Sequence, residues 1–158
     1  KTWKAACDLH DKTLYSTFKK ACDDYFYLPH RQETRGVGGL FFDDWHAGTF
    51  EASFAFIQTM IDTLTKAYIP IAEQHKNKPY TAEEKDFQRY RWGRYVEFNL
   101  LFDRGTLFGL QFGGRTEAIL VSMPPEPIWR YDWQPDAQSK AHELKAFLHP
   151  KDWIKETS

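Results

Sequence analysis

The sequence predicts an α+β fold, and three patterns carry that prediction. Apolar residues from Phe50 to Tyr68 recur at steps of three and four, which is typical of one helix face. The motif Thr81-Ala-Glu-Glu84 is a capping box and predicts the start of another helix. From Val96 to Phe102 apolar residues occupy alternate positions, which favours a strand. Helices combined with neighbouring antiparallel strands define the α+β class.

The first elements are helical. Residues Thr2–Leu9 are typical of the end of a helix already under way. Apolar spacing predicts a helix from Leu14 to about Tyr25, and Pro29 stops it. The polar, glycine-rich segment that follows predicts a loop leading into a short strand, Gly39–Phe42.

Two longer helices are predicted next. Thr49 is the expected N-cap of the first, which we expect to end or kink near Pro70. Its continuous apolar stripe is expected to lie on the face of a sheet. The second helix starts at the capping box and is expected to reach about Trp92.

The pattern after that helix predicts a β-hairpin. Strands are expected over Val96–Phe102 and Thr106–Phe112, with Asp103-Arg104-Gly105 as the turn between them. Gly113-Gly114 is expected to form the next turn.

The last part of the chain is less regular. Arg115–Val121 fits either a strand or a short helix, and both alternatives stay open. Three prolines then end this segment. A short amphipathic helix is predicted over roughly Asp136–Leu148.

Composition limits the class of protein. The 158 residues fit one domain, and the 17% aromatic content predicts a packed interior. A formal net charge of −1 argues against a general nucleic-acid binder. No apolar run approaches the roughly 18 residues of a transmembrane helix.

Cys7 and Cys22 favour two buried thiols over a disulfide or metal site, and a reducing compartment over secretion. Lys1 is not a methionine, so we expect the chain to be part of a longer protein.

Three clusters combine arginine with glycine. They are HRQETRGVGG (His30–Gly39), DRG (Asp103–Gly105) and GGR (Gly113–Arg115). Glycine lets the backbone approach a ligand closely, and arginine supplies a planar fork of donors for carboxylate or phosphate. The clusters predict a ligand that carries several such groups. Two acids follow the first cluster in LFFDD (Leu40–Asp44).

Geometry leaves alternatives open for the second and third clusters. If they lie at opposite ends of one strand, about 23 Å separates them at ~3.3 Å per residue. Either a bulge brings them closer, the ligand is large, or one cluster is structural. Paired glycines at Gly113-Gly114 can form an anion nest, or simply a tight turn. His30 has no second ligand at useful spacing, so no metal site is predicted within this chain.

Two long segments carry a family resemblance. YFYLPHRQETRGVGGLFFDD (Tyr25–Asp44) and YVEFNLLFDRGTLFGLQFGGRTEAILVSMPP (Tyr95–Pro125) resemble the oxygen-dependent coproporphyrinogen III oxidases. The likeness continues to Trp153 and covers the C-terminal half of that family's sequence. The resemblance implies that residues 1–158 are the C-terminal portion of a single oxidase domain. It also implies a large antiparallel sheet flanked on both faces by helices, assembled as a homodimer.

The resemblance implies a reaction as well. Family members oxidatively decarboxylate two propionates of coproporphyrinogen III to vinyl groups, which gives protoporphyrinogen IX for haem biosynthesis. Molecular oxygen is the oxidant and no organic cofactor is used, although some bacterial members have been linked to a divalent metal. A four-propionate substrate also explains several separated arginine sites. Bacterial members imply a cytoplasmic location, with a mitochondrial one as the alternative.

Site roles follow from the same resemblance. Asp103 is the expected catalytic residue, a carboxylate that accepts pyrrole N–H hydrogen bonds. The expected substrate-binding residues are His30, Arg35, Arg104, Gly113, Gly114 and Arg115. The family's proposed proton-donor histidine belongs to its other half, so this chain alone is expected to be inactive. A non-catalytic tetrapyrrole- or anion-binding module, or a dimerisation unit, remains the alternative.

Overall fold

The computed structural model describes residues 1–155 and consists of two compact units. The first comprises Lys1–Tyr25, Gly38–Pro79 and the segment from Lys151 onward. The second comprises Phe26–Val37 and Tyr80–Pro150. Helices dominate both units, and within the described residues a two-stranded hairpin is the only sheet. None of the helices in this range combines the length and apolar character needed to cross a bilayer.

The first unit is a three-helix arrangement. Helix α1 spans Thr2–Asp8, α2 spans Leu14–Tyr25 and α3 spans Phe50–His75, and α1 contacts both of the others. Both cysteines are buried and neither forms a disulfide, as the sequence predicted. The Thr49 hydroxyl accepts a 3.2 Å hydrogen bond from the Ala52 N–H, which confirms the expected N-cap. The core combines helical and loop residues: Ala6, Cys7, Leu14, Phe18, Phe56 and Met60, with Leu40, Phe42 and Trp45 against them.

Helix α3 packs through a different face from the one predicted. Phe56, Met60 and Thr63 are its buried residues. The predicted stripe is largely exposed, with Phe50 at 77% and Ile61 at 59%. Pro70 also does not end the helix, which continues to His75. An apolar strip therefore runs along the outside of α3.

The second unit is built around one long helix. A hairpin of β1 (Tyr27–Leu28) and β2 (Glu33–Thr34) pairs antiparallel, and the Thr34 N–H also donates to the Leu148 carbonyl at 2.8 Å. The long helix, α4, spans Ala82–Leu101. Three short helices follow it, which are α5 (Arg104–Gln111), α6 (Thr116–Leu120) and α7 (Lys140–Lys145).

The prediction of a large antiparallel sheet flanked by helices is wrong for this chain. Both predicted hairpin strands are helical, because α4 runs through Val96 and α5 replaces Thr106–Phe112. The capping box at Thr81 starts α4, and no proline interrupts the sequence before the helix ends. A helix pairs its own backbone N–H and C=O groups, whereas a strand needs a neighbour to do so. The helical state therefore satisfies this backbone locally.

Two smaller predictions also change, and one open alternative is resolved. Residues Gly39–Phe42 form no strand, and the predicted helix over Asp136–Leu148 is reduced to α7. The segment Arg115–Val121, left open between strand and helix, contains α6.

Candidate functional site

The turn of the β1–β2 hairpin brings two basic residues onto one carboxylate of α4. His30 Nε2 lies 3.0 Å from Glu97 Oε2. The Arg31 guanidinium donates to both oxygens of the same carboxylate, from Nε at 3.0 Å and from Nη2 at 2.6 Å. This two-pronged geometry is the strong form of an arginine–carboxylate pair.

A buried arginine completes this network. Arg94 is 1% exposed, and its Nη1 donates to Glu97 Oε1 at 2.9 Å. Its Nη2 donates to the Tyr90 hydroxyl, and its Nε lies 3.4 Å from Glu33 on β2. A buried guanidinium is tolerable only when carboxylates and acceptors surround it in this way.

The network controls the ionisation of Glu97. Burial alone would raise the pKa of this carboxyl, but hydrogen bonds from Arg31 and His30 and the charge of Arg94 lower it to about 2. The indole N–H of Trp129 also donates to Glu97 Oε1 at 2.9 Å. Glu97 is therefore a permanent anion that fixes the basic groups around it.

Arg35 has a different environment. Its guanidinium lies over three aromatic rings, 4.1 Å from the Phe26 centroid, 4.7 Å from that of Phe98 and 5.0 Å from that of Tyr95. Such contacts hold an arginine in place by cation–π attraction.

His30 connects this network to the second arginine–glycine cluster. Its ring stacks on Phe102 with centroids 5.7 Å apart, and Phe102 immediately precedes Asp103. Asp103 is the N-cap of α5, because its Oδ1 accepts from the Gly105 N–H at 2.8 Å and from the Thr106 N–H at 3.3 Å. The structure therefore places His30 beside the helix end that carries Asp103.

The third cluster forms the turn between α5 and α6. Gly113 has a positive φ of 70°, which favours glycine, and the Gly114 N–H donates to the Gly109 carbonyl at 2.8 Å. The Gly113 N–H donates to the Leu110 carbonyl at 3.3 Å, so both glycine N–H groups serve the turn. Arg115 is exposed and is the N-cap residue of α6. The guanidinium of Arg115 is thus the group that this turn offers to an anion.

The helical conformation changes the distance between these clusters. The eight residues of α5 separate Asp103 from the glycine turn. At 1.5 Å per residue they span about 12 Å, roughly half the span of a strand of that length. The distance that a ligand with two or more acidic groups must span between these clusters is therefore shorter than the sequence predicted.

Sequence reasoning missed the residues that organise the network. Arg91, Arg94 and Glu97 lie three positions apart, and this i, i+3 spacing on a helix was the available signal. Their partners on the hairpin come from about 60 positions earlier, and no sequence pattern marks that pairing. Arg91 donates to Glu33 Oε1 at 2.5 Å and to the carbonyls of Thr34 and Arg35.

The described residues offer no ready metal centre. Over residues 1–155, no group of three or more His, Cys, Asp or Glu side chains is arranged to hold a metal ion. His30 has an acidic neighbour in Glu97, but the other groups around that carboxylate are arginines and an indole N–H.

Comparison with known proteins identifies the family. The family model described as "Coproporphyrinogen III oxidase" matches residues 1–153. A curated protein named oxygen-dependent coproporphyrinogen-III oxidase, from Francisella tularensis subsp. novicida (strain U112), is 58% identical over 154 residues. Relatives of the same name from F. tularensis subsp. mediasiatica (strain FSC147) and from F. philomiragia subsp. philomiragia (strain ATCC 25017) are 57% and 56% identical.

The extent of each match is the same. The alignments cover 98% of this chain and 50% of each relative. The chain thus spans about half the length of the curated relatives it matches. With a family model over residues 1–153 and relatives at this identity, the chain belongs to the coproporphyrinogen III oxidase family.

Proposed function

We propose that this chain is the C-terminal portion of an oxygen-dependent coproporphyrinogen III oxidase that acts in haem biosynthesis. The observation that carries the proposal is the 58% identity, over 98% of the chain, to a protein named for that activity. In the proposed reaction each of two propionates loses its carboxyl group as CO₂ and, as a hydride equivalent, one hydrogen from the carbon attached to the pyrrole ring. Dioxygen takes up two electrons and two protons and leaves as hydrogen peroxide, and the side chain becomes a vinyl group.

Asp103 is the proposed catalytic residue. Its Oδ1 accepts both capping hydrogen bonds of α5, whereas Oδ2 accepts none from the described residues. Oδ2 can therefore accept pyrrole N–H groups while Oδ1 keeps the carboxylate in place. A carboxylate at this position stabilises positive charge that develops on the electron-rich ring as oxygen withdraws electrons.

Three arginines and a histidine are proposed to bind the propionates and orient the macrocycle. Arg104 follows the cap residue directly, and Arg115 is exposed at the other end of α5. Arg35 and His30 lie on the hairpin side, where His30 stacks on Phe102. Gly113 and Gly114 shape the turn that presents Arg115. Basic groups on two sides of the α4–α5 junction suit a macrocycle with acids around its edge.

Assembly, cofactor and location complete the proposal. We place the protein in the cytoplasm as a homodimer that needs no organic cofactor and uses dioxygen as co-substrate. The exposed apolar strip of α3 supports association, since apolar patches of this kind mark contact surfaces. The proposed enzyme also requires the half of the family sequence that this chain does not span, so the chain alone is expected to be inactive.

The test is an aerobic assay of a protein that contains this chain joined to the other half of the family sequence. Coproporphyrinogen III is supplied, and the product is oxidised and followed as protoporphyrin fluorescence. Conversion in air and none under nitrogen supports the proposal. A folded protein that binds coproporphyrinogen III and never converts it would instead indicate a non-catalytic binding module.

Variants at Asp103 separate its two roles. Asp103→Asn keeps a side-chain acceptor at the N-cap but removes the charge, whereas Asp103→Ala removes both. If Asp103 acts on the substrate, both variants lose at least roughly 100-fold in kcat, the scale for one electrostatic contact in a transition state. Full activity in Asp103→Asn would reduce Asp103 to a helix cap.

Arg115 has a matched control in Arg89. Both are arginines of the second unit, and Arg89 pairs with the half-exposed Glu126. If Arg115 binds a propionate, Arg115→Gln raises KM by roughly 10-fold or more and Arg89→Gln does not. An unchanged KM with weaker dimerisation in Arg115→Gln would favour the dimerisation-unit alternative.

A further inference from the structure

A cavity of about 250 Å³ lies in the second unit beside the Glu97 network. Asp103, Arg104 and the glycine turn with Arg115 do not line it. Its lining comes from α4, from Arg130 and residues 132–135, from Lys145 of α7, from Leu148 and from the hairpin residues His30, Arg31 and Glu33. The residues that characterise it are Phe87, Tyr90, Arg91, Arg94, Arg130 and Trp133.

The basic side chains that line the cavity have N–H donors beyond those used in their ion pairs. Arg130 donates through Nη2 to both oxygens of Asp86 at 2.6 Å, and its Nη1 and Nε donate to none of the described residues. Arg31 binds Glu97 through Nε and Nη2, so its Nη1 can donate to a ligand. Lys145 donates to the Gln134 side-chain carbonyl and forms no ion pair with the described residues. A guanidinium carries five N–H donors and an ammonium three, so several remain for a ligand.

The charges around the cavity do not cancel. Five permanent cations line it, namely Arg31, Arg91, Arg94, Arg130 and Lys145. The carboxylates that line it or pair with these cations number four, namely Glu33, Glu97, Asp86 and Asp132. One positive charge is left over when His30 is neutral, and a ligand with a single negative charge would balance it.

Aromatic side chains also line the cavity. The Trp133 ring lies 4.6 Å from the Tyr90 ring and 6.2 Å from the Phe87 ring, centroid to centroid. The Arg130 guanidinium lies 5.1 Å from the Trp133 centroid, so a basic and an aromatic group of the lining are in contact. Asp132, between them in sequence, has a positive φ of 43°, an uncommon conformation for a residue with a side chain. The cavity can therefore bind a flat ring against its aromatic side chains and a carboxylate through its N–H donors.

We propose that this cavity binds a small monocarboxylate that carries one aromatic ring. Cavities for drug-sized ligands run to ~300–1,000 Å³, so a volume of about 250 Å³ suits one ring with a short acidic arm rather than a four-ring macrocycle. Trp133 and Tyr90 contact the ring, while Lys145 and Arg130 bind the carboxylate. The same chemistry exists as a free metabolite-sized acid and as one propionate-bearing pyrrole at the edge of a tetrapyrrole.

The test is calorimetric titration of the 158-residue chain with 3-phenylpropionate. Propionate, which lacks the ring, and 3-phenylpropanamide, which lacks the charge, are titrated in parallel. We expect 3-phenylpropionate to bind at least roughly 10-fold more tightly than either comparison compound, because each lacks one of the two recognised features. No binding, or equal affinity for the three compounds, overturns the proposal.

Two variants with matched controls locate the site. Lys145→Met removes the lysine that has no ion pair, and Lys140→Met removes an exposed lysine of the same helix that pairs with Glu84 at 3.5 Å. Trp133→Leu removes the aromatic side, and Tyr131→Leu removes a fully exposed ring two positions away. We expect each cavity variant to weaken 3-phenylpropionate binding by roughly 10-fold and each control to leave it unchanged. Equal effects of variant and control would place binding elsewhere and contradict the proposal.

A competition experiment distinguishes the two sources of the ligand. Coproporphyrin III, the stable oxidised macrocycle, is added to the chain saturated with 3-phenylpropionate. Displacement that is lost in Trp133→Leu supports a macrocycle edge as the occupant, and absence of displacement supports a free acid. Neither result depends on turnover, so a failed decarboxylation assay leaves this inference standing.

Discussion

Arg94 and Glu97 are joined by a 2.9 Å hydrogen bond across one turn of α4, and the arginine is almost completely buried. The same carboxylate holds Arg31, so a buried and a surface cation share one acid. Breaking a buried pair from one side is costly, because the remaining charge keeps its desolvation penalty without its partner.

Glu97→Gln should therefore destabilise the protein strongly. We expect a loss of about 3 kcal/mol in the free energy of unfolding, measured by urea denaturation at pH 7. Glu126→Gln is the control, since Glu126 is more than half exposed and lies 3.5 Å from Arg89. It should cost less than about 1 kcal/mol. Equal losses in the two variants would show that the Glu97 network contributes no more than a surface pair.

Stability should also fall in acid because of Glu97. Its folded pKa of about 2 lies below the ordinary value of 4.5, so the unfolded state binds the proton first as pH decreases. The contribution is complete above pH 4.5 and is lost as pH falls towards 2. The shift corresponds to at most about 3 kcal/mol, and solvent screening reduces it to roughly 1–2 kcal/mol. Unfolding measured between pH 2 and 6 should show this loss in the parent chain and not in Glu97→Gln.

The two glycines between α5 and α6 should respond differently to alanine. A Cβ on Gly114 would lie 2.7 Å from the Gly109 carbonyl oxygen, a backbone atom that cannot move aside cheaply. Gly113 has a φ of 70° but no heavy atom within 4 Å of its Cβ position. We expect Gly113→Ala to cost about 1 kcal/mol and Gly114→Ala about 2–3 kcal/mol in the free energy of unfolding. The reverse order in thermal denaturation would mean that the turn opens to accept the added methyl group.

Helix α3 provides a test of which face packs. Phe56 is completely buried and lies 4.7 Å from the Trp45 ring, whereas Phe54 is 51% exposed. Phe56→Ala should cost about 3–5 kcal/mol through cavity formation, and Phe54→Ala less than about 1 kcal/mol. Both are measured by urea denaturation of the same chain. A larger loss for Phe54→Ala would show that the exposed strip is the true packing face.

Local signals predicted where α2, α3 and α4 begin. The bounds of α2 agree with its apolar spacing. The N-caps at Thr49 and Thr81 agree with the sequence because side-chain caps act within three or four residues. Residues Tyr95–Phe102 were misassigned for a related reason. Apolar residues are so dense there that a period of two and a helical period fit equally well.

Contacts between residues far apart in the sequence could not be predicted from the spacing of residue types. Apolar periodicity marked α3 as amphipathic, but Phe56 and Met60 rather than Phe54 and Ile61 meet α1 and the loop residues. The arginine–glycine clusters pointed to His30 and Asp103, yet His30 reaches Glu97 across 67 positions of sequence. Such a contact depends on how the hairpin packs against α4, and no local sequence pattern predicts that packing.

Pro70 interrupts the backbone hydrogen bonding of α3. Proline has no N–H, so the carbonyl of Lys66 accepts no backbone hydrogen bond from the position one turn ahead of it. The last turns, up to His75, are therefore attached to the rest of α3 by an incomplete set of backbone bonds. That end of the helix can bend as a hinge while the portion anchored by Phe56 and Met60 stays fixed, which would let the exposed Ile71 move relative to the apolar strip that precedes Pro70.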